Sequence, residues 1–321
     1  MALRQRQAAL AMAPARRAFT ASAAVPAWLD AAALEPLQAR FRRPPAYSYD
    51  DHAIGRRGAE RADRLVPMVP PGGATLEVGA GDGMVSYHLT RRGFEATALD
   101  LSPALFDVRA GQAGVDFVTG DAAAMPFDDG RFDLVVSYNS FEHFGDPEQV
   151  MRELIRVTRP GGAIHLDFGP LYFSAYGLHG YRSVHVPYSH LLFERAVLEQ
   201  YVAEHDLPPI PFESLNGWSV RRFRELWATH AAELSPVAYR EIPQIAGREL
   251  IVEHPSCFRD ETDSFDDLLI AIIRATFRVT ERGADSTSAR REGATAPAHS
   301  GPAASRRAAR GSRRRGGESQ G

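Results

Sequence analysis

The feature that most constrains the fold is a glycine-rich turn that directly follows a short apolar run. Residues 75–78 (TLEV) have the composition of a buried strand, and residues 79–83 (GAGDG) come next. Glycines at such a turn let the backbone bend sharply and pass close to a ligand. The glycine spacing is GxGxG, and Met84 stands where the dinucleotide fingerprint GxGxxG has its third glycine. The segment therefore predicts a strand, a ligand-binding turn and then a helix.

Apolar runs and amphipathic stretches alternate through the region that contains this turn. Further strands are predicted at residues 96–99, 115–118, 132–137 and 163–168. Ser102-Pro103 and Asp146-Pro147 each place a capping residue before a proline, which is typical of a helix start. Such alternation favours a parallel sheet with helices on both faces. We therefore predict an α/β fold with a doubly wound, mostly parallel sheet.

The regular alternation ends after Phe168. Helices are predicted at residues 193–204 and 219–232, and late strands at 210–215, 249–252 and 270–277, of which the last is also compatible with a helix. Aromatic and histidine residues are frequent in two places, and side chains of this kind suit a small-molecule pocket. These residues are Tyr47, Tyr49, His52, Phe168, Tyr172, Tyr176, His179, Tyr181, His185, Tyr188 and His190.

Composition divides the chain into five expected segments. They are a disordered leader (1–25), an N-terminal cap segment (26–56), a ligand-binding core (57–168), a substrate-covering region with the remaining strands (169–282) and a disordered Arg-rich tail (283–321). The leader is rich in Ala and Arg and has no acidic residue, as in mitochondrial transit peptides, although a plain disordered leader is the preferred interpretation. The tail has almost no large apolar residues that could offset the entropy of folding.

The charge distribution argues against a large nucleic-acid surface on the folded part. Lysine is absent, and residues 26–282 hold 25 Arg against 37 acidic residues, a net charge of −12. Phosphate contacts need clustered cations, and the basic residues that cluster lie in the tail. The single cysteine, Cys257, excludes an internal disulfide and a cysteine-based metal site. No apolar stretch is long enough for a transmembrane helix, and we expect a cytoplasmic protein.

Asp100 is the second residue that points to a ligand. It ends the predicted strand after the turn and lies 21 positions beyond Gly79. A carboxylate at that strand tip can accept hydrogen bonds from both ribose hydroxyls of a nucleoside. Asp100 therefore indicates a nucleoside ligand, and the position is compatible with NAD as well.

Four motifs together resemble, in order and spacing, those of class I S-adenosylmethionine-dependent methyltransferases, most closely the group that methylates small molecules. The motifs are residues 77–83, Asp100, residues 120–122 (GDA) and residues 159–162 (RPGG). The resemblance implies a seven-stranded Rossmann-like sheet, S-adenosylmethionine as cofactor, and methyl transfer by direct displacement to an O, N or C atom of a small-molecule acceptor. It also implies these cofactor-binding residues: Glu77, Gly79, Ala80, Gly81 and Gly83 near the methionine part, Asp100 at the ribose, Leu101, Asp121 and Ala122 at the adenine, and Ser137 and Tyr138 beside the sulfonium.

Glu142-His143 follows the fourth strand and also resembles the family, in which a similar segment faces the active site. The unperturbed pKa of histidine, near 6.5, suits a general base, so His143 is the candidate catalytic residue. The alternative is a histidine that bonds the backbone and shapes the pocket. The histidines between 179 and 190 match no ligand spacing and have no acidic residue nearby, so we expect no metal site.

Three other functions stay open at the level of sequence. One is an NAD(P)-dependent oxidoreductase, which Met84 and Asp121 disfavour. A second is an RNA or other nucleic-acid methyltransferase that uses the basic tail as an arm, which the acidic body disfavours. The third is a protein that binds the cofactor without catalysis.

Overall fold

The computed structural model describes residues 2–25, 27–45 and 48–280, and among them no helix is long and apolar enough to cross a membrane. The predicted tail at 283–321 lies outside the described residues, as does Tyr47.

A seven-stranded sheet forms the centre of the fold. Its strands are β1 (Ala74–Val78), β2 (Glu95–Asp100), β3 (Asp116–Thr119), β4 (Phe132–Tyr138), β5 (Thr158–Phe168), β6 (Leu234–Pro243) and β7 (Ile270–Val279). The order across the sheet is β3-β2-β1-β4-β5-β7-β6. Strands β1 to β5 pair in parallel, and β7 is antiparallel to both β5 and β6. The prediction of a mostly parallel, seven-stranded sheet is confirmed.

Helices cover both faces of the sheet because neighbouring residues of a buried strand point to opposite sides. On one face, Leu134 and Val136 of β4 pack with α3 (Asp51–Leu65) and α4 (Met84–Thr90). On the other face, Val135 packs with α6 (Pro147–Val157) and α9 (Val220–Thr229). Strand β4 is buried along its whole length, as expected of a central parallel strand.

A second apolar cluster lies outside the sheet, and we call it the cover. It contains segment 171–202, residues of α10 (Arg248–Glu253) and α11 (Pro255–Glu261), and α1 (Ala2–Ala21) and α2 (Leu34–Arg40). Short helices complete this part and its neighbourhood. They are α5 (Val108–Gln112), α7 (Ser189–Leu192), α8 (Arg195–Glu204) and α12 (Phe265–Leu269), with single 3₁₀ turns at 31–33, 66–68, 103–105 and 212–214.

The leader differs from the expectation of disorder over residues 1–25. Residues 2–21 form helix α1, and Met12, Ala15 and Phe19 are only 1–3% exposed. These three residues repeat at helical spacing and so lie on one face, which packs into the cover. The high Arg and Ala content of the segment hid this narrow apolar stripe.

Several late elements also differ from the sequence expectations. Residues 249–252, expected as a strand, lie in helix α10, and residues 210–215 contain a 3₁₀ turn instead of a strand. Short apolar runs do not distinguish a strand from a buried helix segment, which explains both errors. Strand β6 was not predicted, because it is an exposed edge strand that contains Pro236 and Pro243 and has no apolar alternation. The strand at 270–277 and the helices near 193–204 and 219–232 are confirmed.

Candidate active site

Two adjoining cavities open at the carboxyl ends of β1, β2 and β4. The smaller has a volume of about 430 Å³ and the larger about 600 Å³. Gly79, Asp100, Ser140 and His143 line both cavities and therefore mark the place where they meet. Ligands of open parallel sheets bind at this edge of the sheet.

Most of the predicted cofactor-binding residues line one cavity or both. The smaller cavity is lined, among others, by Leu99, Leu101, Gly120, Asp121, Ala122, Phe144 and Val150. The larger is lined, among others, by Glu77, Ala80, Gly81, Tyr138, Glu142, His179, Tyr181 and Arg182. The structure thus brings three of the four sequence motifs (77–83, Asp100 and 120–122) to one place, apart from two residues described below. Residues 159–162 lie at the start of β5 and line neither cavity.

The glycine-rich turn has a backbone that requires glycine at Gly79. Its φ is +68°, and a Cβ built there would lie 2.5 Å from the side chain of Ser140. The Ser140 hydroxyl donates to the Gly79 carbonyl at 2.9 Å, which ties the turn to the loop after β4. Any larger residue at position 79 would push these two segments apart and fill the entrance between the cavities.

The resemblance implies that Gly83 and Ser137 contact the cofactor. In the structure neither residue lines either cavity. Gly83 precedes α4 with a φ of +68°, and a Cβ there would lie 2.7 Å from the Phe117 ring. Ser137 is fully buried inside β4, one residue before Tyr138, which does line the larger cavity. Consecutive side chains of a strand point to opposite faces, so only one of this pair faces the ligand.

The glycine-rich turn, with which Asp100 was expected to bind a ligand, hydrogen-bonds to the Asp100 carboxylate. One carboxylate oxygen accepts a hydrogen bond from the Gly81 backbone N–H at 2.9 Å, and the other accepts from the Ser102 N–H at 3.2 Å. The parallel pairing of β1 and β2 places the strand tip and the turn side by side. Each oxygen keeps a lone pair for a further donor.

Asp121 and Leu101 form the exposed side of the smaller cavity. Leu101 is 72% exposed, and Asp121 accepts a hydrogen bond from the Ala123 N–H at 2.8 Å. Ala122, which follows Asp121, is buried.

Glu77 is a buried carboxyl group in the wall of the larger cavity. It accepts hydrogen bonds from the Ser86 N–H at 2.9 Å and from the Ser86 hydroxyl at 2.8 Å. Burial raises the pKa of Glu77 to about 7, because the charged form loses its hydration. The carboxyl group fixes the start of α4 against β1 and contributes little negative charge to the cavity below neutral pH.

Arg61 is a cavity residue that the sequence analysis missed. It lies on α3, lines the larger cavity beside Glu77, and places its guanidinium 4.4 Å from the centre of the Tyr138 ring. Among the described residues it forms no salt bridge. The only sequence signal was a cation on the inner side of an amphipathic helix, one of many Arg residues in this chain.

The loop after β4 and the cover bring Glu142, His143 and His179 together. One carboxylate oxygen and one nitrogen of each histidine lie within 4.8 Å of one another, and the two imidazole rings meet edge to face at 5.1 Å. Glu142 is 2% exposed, and burial raises its pKa. Burial also lowers the pKa of His179 to about 4, so this ring is neutral at pH 7. Sequence spacing gave no sign of this cluster because Glu142 and His179 belong to different loops.

The other aromatic and histidine residues are split between cavity and core. Tyr49 and Tyr181 line the larger cavity. Tyr188, by contrast, is fully buried and donates to the Leu268 carbonyl, and His190 bonds the Tyr172 carbonyl. These two residues support the cover and do not reach the cavities.

Comparison with known proteins agrees with this geometry. Residues 76–166 match a family model described as a methyltransferase domain. A demethylmenaquinone methyltransferase of Renibacterium salmoninarum is 29% identical over 56% of this chain and 88% of its own length. A malonyl-[acyl-carrier protein] O-methyltransferase of Pseudescherichia vulneris is 38% identical over 37% of this chain, which spans about half (48%) of that relative.

A solved TehB-like SAM-dependent methyltransferase of Corynebacterium glutamicum is 18% identical and covers 78% of this chain and 100% of its own, with a TM-score of 0.42. At that score the structural similarity adds no weight to the assignment. The methyltransferase-domain match spans β1 to β5, which carry the glycine-rich turn and Asp100. Together with the sheet order and the sequence relatives, it shows that β1 to β5 form a methyltransferase domain of the S-adenosylmethionine-dependent kind.

Proposed function

We propose that this methyltransferase transfers the methyl group of S-adenosylmethionine to an oxygen or nitrogen atom of a small molecule held in the larger cavity. The observation that carries the proposal is the meeting of two cavities at Gly79, Asp100 and His143. One cavity has the residues expected for an adenosine. The other has room and polar groups for the methionine part and an acceptor.

The residues present fit the cofactor on its adenosine side. Asp100 faces both cavities with spare lone pairs for ribose hydroxyls, and Asp121 and Ala122 line the smaller cavity, where the adenine would lie. The space beside Gly79 exists only because the residue has no Cβ. These features support placing the adenosine in the smaller cavity.

The methionine side fits the wall that holds Arg61 and Glu77. Arg61 forms no salt bridge among the described residues, and the α-carboxylate of the cofactor would supply one. Below neutral pH the protonated Glu77 adds little repulsion against that carboxylate. We therefore assign Arg61 to the carboxylate of the cofactor.

When bound, S-adenosylmethionine supplies a methyl group on a sulfonium, which a nucleophile displaces directly. The protein then has to align the acceptor and exclude water, and alignment alone is worth up to about 7–11 kcal/mol of the barrier. Tyr181 and His179 of the cover form the wall opposite the glycine-rich turn and serve this purpose.

His143 is the group best placed to receive a proton from the acceptor. Its Nδ1 donates to the Ser214 carbonyl at 2.5 Å, which leaves a lone pair on Nε2. The residue lines both cavities, so this nitrogen lies near the place where an acceptor would meet the methyl group. A base is needed only for an acceptor that must lose a proton, such as a hydroxyl group.

The names of the relatives leave the acceptor class broad. They include methyltransferases of demethylmenaquinone, of malonyl-[acyl-carrier protein] and of ajmaline. The wall of the larger cavity combines tyrosines with Arg61, Arg182 and two histidines. The tyrosines support a planar small molecule with a hydroxyl, carboxyl or amino group.

The test separates the acceptor side from the cofactor side. A panel of phenols, carboxylic acids and amines is incubated with the enzyme and S-adenosylmethionine, and release of S-adenosylhomocysteine is measured. Tyr181→Ala should lower kcat/KM for the active acceptor and leave the affinity for S-adenosylhomocysteine unchanged. Tyr201→Ala, in a tyrosine of α8 outside both cavities, is the matched control. Equal loss of cofactor affinity in Tyr181→Ala would show that the acceptor site is elsewhere.

A further inference from the structure

The cluster of Glu142, His143 and His179 has the composition of a metal site. Two imidazole nitrogens and one carboxylate oxygen converge within 4.8 Å, and all three residues line the larger cavity. Histidine pairs with one carboxylate are the ligands of many catalytic zinc and non-haem iron sites. The ligands come from the loop after β4 and from the cover, so the chain has no contiguous ligand motif.

Both histidines use one ring nitrogen to bond a backbone carbonyl. His143 Nδ1 donates to the Ser214 carbonyl at 2.5 Å, and His179 Nε2 donates to the Pro170 carbonyl at 3.0 Å. A carbonyl oxygen only accepts, so these nitrogens carry the protons, and His143 Nε2 and His179 Nδ1 keep their lone pairs. Metal-binding histidines are oriented by the same kind of outer hydrogen bond.

Glu142 supplies the second, independent observation. One oxygen accepts from the Gly169 N–H at 2.9 Å, whereas Oε2 is buried and has no hydrogen-bond partner among the described residues. An unsatisfied buried carboxylate oxygen is costly, and a nearby cation removes that cost. No described arginine forms a salt bridge with this carboxylate, whose nearest basic partner is His143 Nε2 at 4.0 Å from Oε1.

We propose that Glu142, His143 and His179 bind one divalent transition-metal ion of the zinc and iron class. Ligands of a tetrahedral zinc lie about 3.4 Å apart, given bond lengths near 2.1 Å, so the cluster has to contract slightly. The His143 side chain is 34% exposed and has room to move. Magnesium prefers six oxygen ligands and is not expected to bind.

The proposed function gives this ion a use, and that consequence rests on the proposed function. Three protein ligands leave a position open toward the larger cavity, where an acceptor hydroxyl or carboxyl oxygen can bind. A bound cation lowers the pKa of a coordinated hydroxyl group, so the acceptor would release its proton to solvent water before methyl transfer, and His143 would act as a ligand and not as the base. Metal binding itself is measured independently of methyl transfer.

The experiment uses the full chain without a histidine tag, stripped with a chelator. Cobalt(II) is added and its visible absorption recorded, then Zn²⁺ and Mg²⁺ are titrated separately by calorimetry. We expect one equivalent of Co²⁺ with a nitrogen- and oxygen-ligand spectrum, displacement by one equivalent of Zn²⁺, and no binding of Mg²⁺. No stoichiometric Zn²⁺ binding, or equal binding of Mg²⁺, would overturn the proposal.

Variants identify the ligands. His143→Ala, His179→Ala and Glu142→Gln should each weaken Zn²⁺ binding by at least about tenfold, since losing even an outer partner of a ligand costs that much. His205→Ala is the matched control, because that exposed histidine bonds the Tyr201 carbonyl outside both cavities. Unchanged Zn²⁺ affinity in His143→Ala, the most exposed ligand, would contradict the proposal even if the other two variants fail to fold.

Binding of S-adenosylhomocysteine separates this proposal from the proposed function. The chelated wild-type protein should bind the nucleoside product as the untreated wild type does, which also shows that it is folded. Absence of Zn²⁺ binding with intact product binding rejects only the metal site. Absence of product binding with intact Zn²⁺ binding rejects the proposed function and leaves the metal site standing.

Discussion

The sheet and the cover differ in how the sequence specifies the residues that each contributes to the candidate site. The cofactor side is built from β1, β2, β4 and their turns, and its key residues lie within a few positions of strand ends predicted from the sequence. The cover joins α1 near the start of the chain to α10 and α11 near residue 250. The proposed cofactor site is thus specified by local motifs, whereas the proposed acceptor wall depends on contacts between segments far apart in the chain.

Removing a large side chain from the cover should change the free energy of unfolding more than any of the other variants does, and it should leave cofactor binding intact. Phe258 is fully buried and packs edge to face on Tyr188 at 5.2 Å. Phe258→Ala is expected to lower the free energy of unfolding by about 3–5 kcal/mol, because it opens a cavity in a packed core. Denaturant unfolding measures this, with the partly exposed Phe212→Ala as a milder control.

The affinity of the Phe258→Ala protein for S-adenosylhomocysteine then tests whether the sheet and the cover act independently. In the folded Phe258→Ala protein it should stay within about twofold of the wild type, because distant sites act independently. A loss of affinity in proportion to the loss of stability would show that the two regions are one cooperative unit.

The buried carboxyl group of Glu77 makes the free energy of unfolding depend on pH. The folded-state pKa of Glu77 is about 7 and the ordinary value is 4.5, so its contribution to stability is fully present below pH 4.5 and is lost as the pH rises to about 7. Glu77→Gln keeps an oxygen acceptor for Ser86 and removes the titration. Relative to the wild type, this variant should gain stability between pH 4.5 and 7, by up to about 3 kcal/mol at 1.4 kcal/mol per pKa unit.

Free energies of unfolding at pH 4.5, 6 and 8 measure this difference. A difference that does not change with pH would mean that Glu77 is ionised in the folded protein throughout. Burial lowers the pKa values of His179 and His190 in the cover to about 4. Their contributions to the free energy of unfolding are therefore present above pH 6.5 and are lost as the pH falls to 4.

Asp100→Ala should weaken binding of any ligand that contains the ribose. A hydrogen bond to a charged group is worth about 1.5–3 kcal/mol, so the affinities for S-adenosylhomocysteine and for 5′-methylthioadenosine should fall together. Calorimetry at neutral pH measures both, with the exposed Asp128→Ala as control. Unchanged affinity for either ligand contradicts the ribose assignment.

Arg61→Gln should have the smallest effect and should discriminate between the same two ligands. A partly exposed ion pair is worth at most about 1 kcal/mol, and only S-adenosylhomocysteine carries the α-carboxylate. The expected result is a weaker S-adenosylhomocysteine complex and an unchanged 5′-methylthioadenosine complex. Equal weakening of both would place Arg61 away from the carboxylate.

The comparison also explains what could be predicted from the sequence. Strands β1 to β5 and the helix start at Asp146 follow from apolar runs and a capping residue, which are local signals. The helix predicted from Ser102 is wrong, because Ser102 caps only a single 3₁₀ turn at 103–105. Asp100 and the glycine-rich turn are adjacent because parallel strands end at one edge, so their meeting was predictable. Gly83 and Ser137 show the limit of motif transfer, since a motif does not say which side of a strand or turn faces the ligand.

The cover could not be predicted in the same way. Its helices are short, α1 buries only a narrow stripe, and β6 is an exposed edge strand, so composition gave the wrong answer for residues 2–21 and no answer for β6. The Glu142–His179 contact joins residues 37 positions apart through two loops. Such contacts depend on tertiary packing and leave no periodic trace in the sequence.

The most direct test of the account is a calorimetric titration of the purified protein with S-adenosylhomocysteine, with NAD and NADP titrated in parallel. We expect one-to-one binding of S-adenosylhomocysteine and no binding of either dinucleotide, because the turn has the GxGxG spacing and Asp121 lines the smaller cavity. Binding of NAD or NADP with no binding of S-adenosylhomocysteine would contradict it.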